Sequence, residues 1–91
     1  MSRSMHWRPV PPPPVDNQLS TDLMFRLESY LFHDHWEYNS GYEIDGATDH
    51  RLLAYLQGLA DCGVEDAGEV IRLVAEHKKI VIWAGDGDGP R

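Results

Sequence analysis

Residues 49–84 constrain this chain more than any other stretch, because they spell helix, tight turn, helix and strand in one run. Leu52, Leu53, Leu56, Leu59 and Ala60 recur at three- and four-residue intervals and so line one face of a helix. Thr48 or Asp49 can cap its start, and Gly63 supplies the left-handed residue that ends many helices. The next helix is expected to begin at once with Val64, with Ala67, Val70, Ile71 and Val74 as its apolar stripe. Glu65, Asp66 and Glu69 then lie near its positive end, and His77, Lys78 and Lys79 near its negative end. The helix dipole favours that order. Ile80-Val81-Ile82-Trp83-Ala84 follows as a β-branched run of strand length, closed by a Gly-Asp repeat that cannot extend it.

Upstream, Ser20 or Thr21 can cap a helix over residues 21–36, with Leu23, Met24, Leu27, Tyr30 and Leu31 as its inner stripe. Phe25, Phe32 and Trp36 widen that apolar surface, which suits a helix between two layers or one that pairs with a partner. Asn39-Ser40-Gly41 and Gly46 bracket Tyr42-Glu43-Ile44-Asp45, a short alternating strand whose mate is the run 80–84. Two strands alone are marginal, so they must lie on the helices or gain a third from residues 7–10. The expected fold class is therefore α+β: a three-helix domain with a short antiparallel sheet, over residues 20–84. Residues 1–19 read as an extended proline-rich arm, because Pro9 and Pro11–Pro14 lack amide donors and fix φ. Arg8, Pro11 and Pro14 also fit a spacing read by aromatic peptide-binding grooves. Residues 85–91 are expected to be a disordered tail.

Charge narrows function more than length does. The net value is −7, and residues 28–69 hold ten acids against Arg51 alone, which leaves +2 for the remainder. Such a middle repels phosphate backbones, so no direct nucleic-acid binding is expected, whereas a basic protein surface would be steered to it. A DNA-reading helix after Gly63 would meet its target with Glu65, Asp66 and Glu69 first, which disfavours that reading. The longest apolar run is five residues, too short for a membrane span, and the N-terminus lacks the apolar core of a secretory signal. Both point to the cytoplasm.

Chemical signatures are sparse. The single cysteine, Cys62, excludes a disulfide framework; the acids flanking it do not favour a thiolate nucleophile, so it is expected to pack as a small hydrophobe. No nucleophile elbow, phosphate loop or zinc-protease motif is present, so no enzyme activity and no cofactor are expected. His33 and His35, with Asp34 and Glu37 nearby, are the nearest thing to a metal site. Two residues apart, the histidines share a side in a strand but not in a helix. Asp86-Gly87-Asp88-Gly89 opens like a calcium loop but stops before its later ligands. Trp36, Tyr38 and Tyr42 fall inside the acidic segment, and aromatic rings ringed by carboxylates suit a protein-binding surface.

The W-R-P-V-P opening, the L-x-x-L-A-D-C-G-V-E-D-A-G-E joint and the closing I-V-I-W strand resemble short acidic orphan proteins of phages and prophages. That resemblance implies an accessory role, such as an inhibitor that docks on a host protein. The leading expectation is a non-enzymatic module whose Glu37, Glu43, Asp45 and Asp49 steer it to a basic host surface. Trp36, Tyr38 and Tyr42 would supply the buried contact. Two alternatives stand beside it: a metal-binding protein using His33 and His35, and a homo-oligomeric accessory protein, with a homodimer formed through the surplus face of the first helix.

Overall fold

A computed structural model describes residues 3–10, 17–33 and 35–87. Four strands form one antiparallel sheet: β1 (Ser4–Pro9), β2 (Asn17–Leu19), β3 (Tyr42–Asp45) and β4 (Lys79–Gly85), in the order β2-β1-β4-β3. The expected pairing of residues 42–45 with the last strand is present, with Tyr42 opposite Ile82 and Ile44 opposite Ile80. Three helices complete the α+β fold: α1 (Thr21–Phe32), α2 (His50–Asp61) and α3 (Ala67–His77).

Strand alternation decides which side the helices cover. Met5, Ile44, Ile80, Ile82 and Ala84 share one face and join Leu23, Met24, Leu27, Leu52, Leu56, Val70, Leu73 and Val74 in a single buried cluster. The other face carries Ser4, His6, Arg8, Val81, Trp83, Glu43 and Asp45. There His6 stacks on Trp83 with ring centroids 5.4 Å apart, and the Arg8 guanidinium lies 5.4 Å from the Trp83 ring.

Residues 4–9 and 17–19, expected in the arm, are strands instead. Met5 is fully buried, and β1 lies between β2 and β4 in the sheet. Pro9 is tolerated because its nitrogen faces away from β4, past the residues of β1 that pair with β2, so no ladder bond is lost. Arg8 stands on Trp83; Pro11 and Pro14 of the proline spacing, like Asp34 and residues 88–91, lie outside the described residues. The expected tail is held at its start. Gly85 ends β4, and Asp86 exchanges hydrogen bonds with Asn39, N–H to Oδ1 at 3.0 Å and Nδ2–H to Oδ1 at 2.9 Å. A Cβ on Gly85 would lie 2.0 Å from Asn39 Oδ1, so glycine alone permits this closure.

Helix ends differ from expectation for identifiable reasons. Ser20 caps α1 as read, accepting from the Leu23 amide at 3.2 Å. The helix stops at Phe32, not Trp36, because His33 turns left-handed (φ 57°) and donates its N–H to Ser29. Gly63 is left-handed as expected (φ 82°), but Val64 does not start the next helix. The Gly63 amide bonds to Ala60 O and the Val64 amide to Leu59 O, the paired closure of a Schellman motif. Val64 is thus the last link of α2's cap, and α3 begins three residues later. Leu73, rather than Ile71, completes the buried stripe of α3.

Candidate functional site

Two tyrosines from separate elements line an open groove. Tyr30 and Leu31 of α1, Tyr42 of β3 and residues 48–52 line a groove of about 440 Å³. Tyr30 was expected in the inner stripe, yet it remains 37% exposed and stacks on Tyr55, ring centroids 4.0 Å apart and nearly parallel. Tyr42 is half-buried and meets Phe32 edge-on at 6.0 Å. Its phenol pKa is pushed up, first by burial, then by the negative charge of Asp49 and by Tyr30.

Asp49 is the N-terminal flanking residue of α2, but its side chain caps no helix amide. Oδ2 instead accepts from the Asp45 amide at 2.7 Å. Asp45 in turn bonds the Ala47 amide through Oδ1 at 2.8 Å, and its carbonyl accepts from the Thr48 and Asp49 amides. These bonds fix the turn that carries Tyr42 and Asp49 to the same groove. Gly46 keeps this turn close to α3 and β4: a Cβ there would stand 3.0 Å from Val74 Cγ1 and 3.2 Å from Lys78 O and press both outward. Behind this turn a second cavity, about 350 Å³, opens between residues 45–47 and Val74, Ala75 and Lys78.

The expected contact residues separate into three groups. Trp36 is fully buried and cannot supply surface contact. Its ring packs on Phe32 and its indole N–H donates to Ser40 O at 2.9 Å. Its backbone is gripped from both sides: the amide donates to Glu28 Oε2 at 2.7 Å, and the carbonyl accepts from Arg3 at 3.1 Å. Arg3 also pairs directly with Glu28, and its guanidinium is the main reason the Glu28 pKa lies below the ordinary glutamate range. Glu37 and Tyr38 are exposed on the following turn, where the Tyr38 hydroxyl donates to Asp86 Oδ2 at 2.9 Å. Tyr42 and Asp49 meet at the groove, whereas Glu43 and Asp45 stand on the opposite face of the same strand, β3. Lys79 of β4 stands 3.6 Å from Asp45 and 4.0 Å from Glu43, so part of their charge is answered.

Tyr30, Thr48, His50 and Arg51 were not among the expected contact residues, although Arg51 is conspicuous as the single base of the acidic segment. His33 and His35 leave the helix end on an irregular segment, and His35 lies 3.8 Å from Glu28. Among the described residues no group of three or more His, Cys, Asp or Glu side chains could hold a metal ion. Cys62, expected to pack inside, is exposed at the C-terminal cap of α2, one position beyond the last helical residue. Among the described residues no helix is long and apolar enough to cross a membrane. No protein family, characterised protein or solved structure matches this chain.

Proposed function

We propose that this chain is a non-enzymatic protein-binding module that docks the β3 side of the sheet on a basic protein surface. The observation that carries the reading is the edge strand β3 itself: Tyr42 opens with Tyr30 and Asp49 into a groove on one side, and the carboxylates of Glu43 and Asp45 stand on the other. Aromatic rings beside a half-answered acidic strand combine contact area with a field that attracts cations. Glu37 and Tyr38 extend the same kind of surface toward the end of β4. An accessory protein of a phage or prophage, acting as an inhibitor that occupies a basic host surface, fits this mode of action.

The test is capture of partners from the producing cell at low and high salt, with the native chain and a Glu43→Gln/Asp45→Asn variant. A basic protein retained by the native chain, lost at high salt and lost on the variant, is the expected result. Capture of no basic partner, or of one indifferent to both salt and substitution, overturns the reading.

A further inference from the structure

The way a basic partner could engage β3 is restricted by the strand itself. The Gly46 amide bonds to Lys78 O, and Ile44 and Tyr42 lie opposite Ile80 and Ile82. Antiparallel alternation therefore turns the amides and carbonyls of the even-numbered residues toward β4 and those of Glu43 and Asp45 outward. Asp45's outward groups are already taken, the amide by Asp49 Oδ2 at 2.7 Å and the carbonyl by the Thr48 and Asp49 amides. An added strand would find little of β3 left to pair with. A second copy of this chain is also disfavoured here, since antiparallel self-pairing sets Glu43 and Asp45 against their own like charges. The partner must reach the site with a side chain.

The groove beside β3 states what that side chain is. Its lining combines two phenol rings and two leucines with the hydroxyl of Thr48 and the carboxylate of Asp49, whose Oδ1 has no partner among the described residues. Its volume, about 440 Å³, falls within the range of small-ligand sites, roughly 300–1,000 Å³. A lysine ammonium is a compact, strongly hydrated point. A guanidinium is planar, weakly hydrated, stacks on aromatic faces and distributes five donors around one plane. Resting on the reading of the chain as a binder of basic proteins, we propose that the Tyr30–Tyr42 groove seats an arginine side chain of the partner, with Asp49 as its counter-charge. Arg51 lines the same groove and is exposed, so its charge opposes the guest and weakens the site.

That opposition gives the test a sign no anion site would share. The native chain is titrated by NMR with N-acetyl-arginine methylamide, the corresponding lysine compound, and the citrulline compound, which keeps the planar shape without the charge. Saturable shifts of Tyr30, Tyr42 and Asp49 are expected with arginine, with affinity about tenfold weaker for citrulline and about threefold weaker for lysine. Asp49→Asn retains an acceptor for the Asp45 amide and should weaken arginine binding about tenfold, whereas Arg51→Gln should tighten it about two- to fivefold. Absence of saturable shifts at the groove overturns the assignment, as does equal binding of citrulline or lysine. Weaker binding by Arg51→Gln overturns it too, because that result belongs to a site for anions. Salt-sensitive capture of a basic protein alongside any of these results leaves the broader reading standing and removes only the arginine seat.

Discussion

At the start of α2, Asp49 gives one oxygen to the Asp45 amide, while Asp45 and Glu43 lie beside Lys79. At its far end Asp61, Glu65 and Asp66 gather around the Gly63 turn, and no ion pair joins them to a base among the described residues. Both groups belong to one acidic run in the sequence, yet they do different work. In the first group Asp45 and Asp49 build a turn, and Asp49 also lines the groove. The second adds charge to a joint whose geometry is set by Gly63 and the backbone bonds around it. Glu28 and Glu69 take the same lesson further, since Arg3 and Arg72 come from outside the acidic run to meet them. A count of acids along a chain is therefore not a map of its field; the bases that meet them, from far away like Arg3 or one turn on like Arg72, decide which charges remain to act on anything else.

The contrast between built-in and free acids can be broken most severely at Glu28. Its side chain is 12% exposed and holds both Arg3 and the Trp36 amide. Glu28→Gln removes the charge and leaves those donors poorly matched, so a loss of roughly 1–3 kcal/mol is expected from urea unfolding at neutral pH. The pH dependence has a definite sign. The carboxyl pKa is lower in the folded chain than in the unfolded one, so its contribution is complete above the unfolded value. It is lost as pH falls through the folded value. The native chain should therefore lose stability in acid more steeply than Glu28→Gln; parallel profiles would show that this acid is no more built-in than those of the joint. Next in size is Asp49→Ala, which strands the Asp45 amide and should cost roughly 1–2 kcal/mol, with Asp49→Asn costing less because an acceptor remains.

The same distinction explains what could be read from the residues alone. The mate of β4, the Ser20 cap and the left turn at Gly63 all follow from signals a few residues long, and each is present. Trp36 was misplaced because its burial depends on Glu28 and Arg3, eight and thirty-three positions away. Nothing in His33-Asp34-His35 marks a left-handed helix end, since the usual glycine is missing. The density of prolines after Val10 hid a central strand in which Met5 is fully buried. The groove is hidden in the sequence for a related reason: Tyr30 sits at helical spacing with Leu23 and Leu27, and periodicity assigns it inward. Its ring instead lies on Tyr55, a residue of another helix, and stays open to solvent.

The gentlest probe is Asp61→Asn at the joint. Asp61 is the last residue of α2, where the helix dipole presents its negative end and a carboxylate is unfavourable. Its Oδ1 accepts from Gln57 Nε2 at 3.0 Å, a bond that an asparagine oxygen can keep. Removing the charge should therefore stabilise the fold by about 0.3–1 kcal/mol at low ionic strength. That gain should shrink in about 1 M salt, where the screening length is only about 3 Å. Thermal unfolding at the two salt concentrations reads both parts. A loss of stability would mean that Asp61 is held by the structure as Asp49 is, and the division between the two ends of α2 would have to be redrawn.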